Sequence, residues 1–533
     1  MNTATEKLNI ESTQQSLANS RNLKVLLGFA LLGVMLSFGV YFVSADFERI
    51  GIVPMLLLIV LIAPLTIVAV MGLRQGVKHF ASLRAAWTWW HWPLALLVIS
   101  TLVFRVRDNQ EVASTPVDAW ALLRLGPEFI VAAVLGWRLL NRETNWRDSL
   151  FKGIVSWLAI YGIVCVISSI WSVYWSWTLY KSLEFLLDVA TLAAILATVS
   201  SMEEIRRMGN WVWMLYGFDL VMSWIGAALW PTEALDELGR LSCPWPVISY
   251  NSLGASSALV GIVAIARLFR KPEKSERAWY SILLVFGIVT LIASQTRNAM
   301  MGFVVGVFLV LVFERKAWIG IGLGLAAGLA RVFYLLFTLA SLPSLSELPA
   351  TLLGSRVIQF LARDQTDAQI SGLSGRGDWW SFAWHQLMQR PLTGFGAYAG
   401  GRFAVLGKLG IVTSQIHSDW LEVLTDTSFW GLIPFVVAFV ACWWIVIRSY
   451  SDPSLAPDER EWLPEIAGLL GVITVRSFFN IEMSWHAPLF YFTIIAYAEF
   501  LRRKRQAAKQ ILTDPSYPDL SYPDPSYNDR INR

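Results

Sequence analysis

Apolar runs of about 17–25 residues recur through most of this chain, and a run of that length crosses a bilayer as a helix. Hydrocarbon offers no water to bond a bare backbone, so such runs have few folds open to them other than helices. Read in order they give about 14 (12–14) candidate spans, at 23–44, 50–72, 87–105, 119–138, 153–174, 181–200, 210–230, 247–268, 278–294, 298–314, 317–340, 428–448, 463–481 and 487–501. The third, ninth and thirteenth are the weakest. Charged residues make up only 15% of the chain and its mean hydropathy is +0.51, against roughly 25% charge in soluble domains. The expected fold class is therefore an all-α integral membrane protein. Its 27 tryptophans fit, because indole rings favour the membrane–water boundary.

The placement of Lys and Arg says which way the spans run. Arg74, Lys78 and Arg84 follow the second span and Arg138, Arg142, Arg147 and Lys152 the fourth. Arg206 and Arg207 follow the sixth, Arg267, Arg270, Lys271, Lys274 and Arg277 the eighth, Arg315 and Lys316 the tenth, and Arg502, Arg503, Lys504 and Arg505 the last. The positive-inside rule puts all of these on the cytoplasmic side if both termini are cytoplasmic. Residues 1–22 form a polar cytoplasmic segment, and no cleavable signal peptide is expected before the first span. Residues 23–340 hold the first eleven spans, 341–427 a long outward loop, 428–502 the remaining spans, and 503–533 a disordered tail with Ser-Tyr-Pro-Asp repeats. Cys165, Cys243 and Cys442 show neither disulfide nor metal-ligand spacing and read as packing residues.

The loop is the one long polar interruption, and connections of that length are uncommon unless functional or disordered. Its tryptophans and leucines argue against disorder. Residues 378–389 read as a short amphipathic helix on the outer leaflet, with Trp380, Trp384, Leu387 and Met388 at helical spacing and Pro391 ending it. By the same topology the tight junction Ser294-Gln295-Thr296-Arg297 faces outward too. Arg297, Arg376, Arg390, Arg402, Arg356 and Arg363 then gather on one face, and arginine grips phosphate through a planar fork that never loses its charge. Binding of lipid headgroups by these arginines is the plainer reading.

His417 has Asp419 and Glu422 close by, either able to orient its ring, and His385 is its competitor as a base. Gly394-Phe395-Gly396 and Gly400-Gly401 could cradle phosphate oxygens, although a turn is the default reading of a lone G-x-G. Arg124 and Glu128 are spaced to pair on one helix face, and Glu184 and Asp188 need a proton or a cation such as Lys181. The outward residues lack grouped metal ligands, so no metal or other cofactor is expected.

Ser294 with Arg297, then Ser374-Gly375-Arg376 with Trp380, then Arg390-Pro391-Leu392 with Gly394 and Gly396, then His417 with Leu421, Glu422 and Gly431, follow one another in an order that resembles the O-antigen ligase and polymerase (Wzy) superfamily. Asn251-Ser252-Leu253-Gly254 resembles an asparagine element upstream. The resemblance covers about 250–435; Ser418 and Thr427 depart from the residues often found there. It implies a GT-C-like, metal-independent, inverting glycosyltransferase of the bacterial inner membrane with its site facing the periplasm. The donor would be a glycan on undecaprenyl diphosphate and the acceptor a glycan or lipid A-core. Membrane lipids, a flippase and a chain-length regulator would be its other partners, and nucleic acid would not. Arg297 and Arg376 would hold the diphosphate and His417 would act on the acceptor, with Arg390, Gly394, Gly396, Asn251, Trp380 and Glu422 binding substrate. A polymerase is the first expectation and a ligase the second. A polysaccharide flippase, which would show similar halves, and a non-catalytic scaffold are the readings from other classes.

Overall fold

The computed structural model describes residues 88–102, 118–141, 150–199, 201–236, 239–270, 272–316, 376–409, 415–452, 455–484 and 488–513, together with isolated positions 78, 111, 114 and 115. The spans expected at 23–44, 50–72 and 317–340 lie outside these residues, as do the first part of the loop and the terminal repeats.

Among the described residues the chain is helical, with isolated β-bridges (Leu235 with Leu241, Cys243 with Ile248) in place of strands. The helices are α1 (His91–Leu102), α2 (Ala119–Leu140), α3 (Ile154–Ser168), α4 (Trp175–Thr198), α5 (Met202–Leu229), α6 (Pro231–Ala234), α7 (Tyr250–Phe269), α8 (Lys274–Ala293), α9 (Arg297–Phe313), α10 (Arg376–Gln389), a π-helical stretch (Gly400–Leu406), α11 (Asp419–Tyr450), α12 (Pro457–Ser477) and α13 (Leu489–Thr513). Polar side chains start several of them. Asp118 accepts from the Ala121 N–H at 2.7 Å, Ser201 and Glu204 form a capping box, and Ser249 accepts from the Ser252 N–H. Among the described residues five helices are long and apolar enough to cross a membrane, and α1, α3 and α9 are shorter apolar helices. The fold is that of an all-α membrane protein.

Several helices start ahead of the expected spans, α4 at Trp175, α5 at Met202 and α12 at Pro457, and two further boundaries differ by more. The span expected at 428–448 continues back to Asp419 as one helix that breaks at Ser428, where φ is 56° and ψ −152°. The Ser428 hydroxyl donates to the Pro391 carbonyl at this break. The last helix runs on to Thr513, past the tail boundary expected at 502. Its basic end is held there: Arg503 donates to the Leu196 carbonyl at 2.6 Å, Lys504 pairs with Glu459 and Arg505 with Asp452.

Among the described residues the most extensive helix contact runs between α9 and α12, which lie antiparallel. Glycines make it close. A β-carbon on Gly306 would fall 2.8 Å from the Gly468 carbonyl oxygen, and one on Gly302 3.2 Å from that of Val472. Small residues let backbones approach in this way where hydrophobic association is no longer available. The register sets Asn298 against Arg476 at one end and the α9 C-terminus against the α12 N-terminus at the other.

The bundle consequently has two chemically distinct ends. One collects Arg267, Arg270, Lys316 and Arg502–Arg505 with Glu459, Glu465 and Asp452. Arg267 grips Glu465 through Nε and Nη2 at 3.1 and 3.0 Å, and Arg270 shares the same carboxylate. The other end holds the 294–297 turn and His417. The paired charges anticipated within α2 and α4 also form: Arg124 lies 3.7 Å from Glu128 and 2.6 Å from Glu184, which Lys181 bonds at 2.6 Å as well.

Removing one partner of a buried ion pair strands the other and costs about 3–5 kcal/mol. Glu465→Ala should therefore lower the melting temperature of the detergent-solubilised protein markedly, by leaving two arginines without their shared carboxylate. An unchanged melting curve would show that the pair contributes nothing.

Candidate functional site

The junction between α8 and α9 is a tight turn, with Gln295 at φ +49°. The Thr296 hydroxyl donates to the Tyr250 carbonyl at 2.9 Å, and a β-carbon on Gly254 would sit 2.5 Å from Thr296 Cβ. This close approach brings Asn251, in the first turn of α7, beside the turn. Arg297 opens α9 and is half-buried.

His417 lies just before α11 with φ +61°, a left-handed conformation that few residues with a β-carbon adopt. Trp380 Nε1 donates to the Ile416 carbonyl at 3.1 Å, and the Ile416 N–H donates to Glu422 Oε2 at 2.8 Å. Ser418 caps α11, and the Asp419 N–H donates to the Asn480 carbonyl at 3.2 Å. The Asp419 carboxylate accepts from the N–H groups of Glu482, Met483 and Ser484 and from the Ser484 hydroxyl. The expectation that Asp419 or Glu422 orients the His417 ring is thus replaced. Both carboxylates brace backbone on either side of the histidine, and the ring nitrogen Nδ1 faces Asn480 Oδ1 at 3.1 Å. The Trp379 ring lies nearly parallel to the imidazole, with 6.1 Å between centroids.

Behind Asn480 runs a continuous polar chain. Asn480 Nδ2 donates to Glu482 Oε1 at 2.9 Å, and Arg476 Nε donates to the same oxygen at 2.8 Å. Arg476 Nη1 reaches Asn298 Oδ1, and Nη2 reaches the Asn251 carbonyl, both at 3.2 Å. The Arg476 side chain is 0% exposed. Asn298 is the residue after Arg297, so the chain physically joins the arginine-bearing turn to His417.

Arg376 opens α10, one helical turn ahead of Trp379, and Trp379 and Trp380 both pack at His417 or its neighbour. The α10 helix forms as expected and ends at Gln389. Its protein-facing side carries Trp380, Ala383, Gln386 and Leu387, while Trp384, His385 and Met388 are exposed. Five expected residues therefore gather at one end of the bundle: Arg297, Asn251, Trp380, His417 and, by its backbone position, Arg376.

Arg390, Gly394 and Gly396 do not join them. They follow the far end of α10, about 20 Å along its axis from Arg376 at 1.5 Å per residue. Arg390 is exposed, lies over the Phe395 ring and reaches the Trp171 carbonyl at 3.5 Å. The N–H groups that a phosphate nest would present are engaged here: those of Phe395 and Gly396 donate to the Thr425 and Asp426 carbonyls, and those of Tyr398 and Gly401 to the Asp426 carboxylate. The glycines bring this strap against α11, where Gly401 leaves room for Glu422. Arg402 is buried with its guanidinium over Trp177. Arg356 and Arg363 lie outside the described residues.

Residues 282–436 match the O-antigen ligase family. The matched segment supports the O-antigen ligase and polymerase superfamily and runs from α8 through the 294–297 turn, α10 and His417 into α11. No curated protein matches the chain. Sequence reasoning missed Asn298, Arg476, Asn480 and Glu482, the last three of which lie beyond the match. The signal was present for one of them. Arg476 is a charge inside an expected span, which is by itself a reason to look for a partner and a role.

Gly396 has φ +98°, and a β-carbon there would collide with Ser172. Gly396→Ala should lose about 1–3 kcal/mol of stability, readable as a lowered melting temperature. A variant that melts like the parent would mean that the strap relaxes freely.

Proposed function

We propose that this chain is a membrane glycosyltransferase that moves an oligosaccharide from undecaprenyl diphosphate to an acceptor hydroxyl, working as a polysaccharide polymerase on the periplasmic face of the bacterial inner membrane. The observation that carries this reading is the meeting of the Arg297 turn, the start of α10 at Arg376 and the constrained His417 at one end of the bundle, all within the segment matched to the O-antigen ligase family. That family's description also favours a second reading, transfer to lipid A-core by a ligase.

The chemistry asked of such a site is modest. A lipid diphosphate is a good leaving group once its developing charge is stabilised, and fixed donors in a water-poor site do this well. Arg297 and Arg376 supply that stabilisation without a metal ion. His417 takes the proton of the acceptor hydroxyl as its oxygen bonds to the anomeric carbon. The bond from that carbon to the diphosphate oxygen breaks in the same in-line step, with inversion, and the lipid diphosphate departs with the electron pair.

General-base assistance is worth about 10²–10⁴ in rate. His417→Ala should therefore bind the lipid-linked donor nearly normally and lose most turnover, whereas His385→Ala, on the exposed side of α10, should lose little. Donor binding and product formation measured together on both variants decide the matter, and normal turnover by His417→Ala would sink the assignment.

The periplasmic placement has its own test. The three described cysteines are buried, which leaves the native background low. A cysteine replacing Asp378 should react in intact cells with a membrane-impermeant thiol reagent, and one replacing Asp458 should not. The reverse pattern would put the site on the wrong side for a periplasmic donor.

A further inference from the structure

Among the described residues, the Arg476–Glu482–Asn480 chain ends on the one ring whose protonation pattern matters to the proposed reaction. Two facts fix what it does there. First, Asn480 is held by both ends of its amide: one atom faces Glu482 Oε1 at 2.9 Å and the other faces His417 Nδ1 at 3.1 Å. Second, the Glu482 carboxylate is bridged to the fully buried Arg476 through Nε and Nη2. A carboxylate so bridged offers only acceptor atoms. The amide atom that faces Glu482 must then be the NH2 group, because the opposite orientation would set oxygen against oxygen. It follows that the carbonyl Oδ1 faces the histidine. An oxygen with no proton can only accept, so His417 Nδ1 must carry hydrogen, and in the neutral ring Nε2 holds the lone pair.

We propose that Arg476, Glu482 and Asn480 act as positioning residues that lock neutral His417 as the Nδ1–H tautomer and so aim the basic Nε2 at the acceptor hydroxyl. This deepens the general-base reading above and rests on it for its functional consequence, though not for the tautomer itself. The arrangement does with a neutral amide what a carboxylate does when it holds a catalytic imidazole directly. Interposing the amide keeps a full negative charge one residue away from the ring. Asn298 and the Asn251 carbonyl complete the Arg476 donors, so the same guanidinium that orders the histidine also ties down the first turns of α7 and α9 beside Arg297.

The test is nitrogen-15 magnetic resonance of the full-length protein in bilayers, labelled at histidine, with His417 assigned by its disappearance in His417→Gln. At a pH where the ring is neutral, wild-type protein should show a protonated Nδ1 and a bare Nε2. In Asn480→Leu the ring should revert towards the Nε2–H form, with kcat down by at least about tenfold and KM for the lipid-linked donor within about twofold. A wild-type spectrum with the proton on Nε2 overturns the proposal without recourse to any variant. Wild-type kcat in a folded Asn480→Leu overturns it as well. If His417→Ala itself turns over normally, the general-base reading has failed instead, and the spectrum alone judges the tautomer.

Discussion

A guanidinium shut away from water is tolerable only where its nitrogens find oxygens, and each nitrogen of Arg476 does so with atoms from three separate parts of the chain. Its Nε and one terminal nitrogen take Glu482, the other terminal nitrogen takes Asn298, and the Asn251 carbonyl completes the set. Leaving such a charge unpaired is costly, so these segments cannot drift apart independently. The loop after α12, the start of α9 and the start of α7 form one unit because one buried charge needs all of them. The histidine segment attaches to that unit through Asn480 and through Asp419, whose carboxylate collects three successive N–H groups.

What places Arg476 where it can do this is the glycine contact between α9 and α12. With a Gly306 β-carbon only 2.8 Å from the Gly468 carbonyl, the two backbones have a single close register. A methyl group there would force the helices apart and pull Arg476 from Asn298. Packing in the middle of the bundle and polar chemistry at its end are therefore the same constraint seen at two points along one helix pair.

The architecture was largely legible because membrane helices announce themselves by length and charge alone. Residues 119–138 and 247–268 could hardly be anything else, and Arg267 and Arg270, at the end of the second, lie at the basic end of the bundle in the structure. The order of motifs along the chain singled out His417 and Arg297, and the structure sets both at one end of the bundle. The partner of His417 was not. Asp419 and Glu422 are its neighbours in sequence, but the first turn of a helix points them at backbone N–H groups, and the ring partner arrives from Asn480, 63 residues later. No local spacing encodes a contact made by two helices crossing. The phosphate cradle offered as an alternative for the glycine strap fails for a related reason: only the α11 carbonyls and the Asp426 carboxylate reveal that its N–H groups are already engaged.

The site draws its histidine from the segment matched to the O-antigen ligase family and that histidine's partners from Arg476, Asn480 and Glu482, which lie beyond it. The matched segment is thus no portable cassette. A chimera that grafted 282–436 into another scaffold would carry the imidazole and leave behind the residues that point it. An exchange that hopes to transplant activity must cut downstream of Ser484, so that the graft includes the whole of α12 and the turn after it.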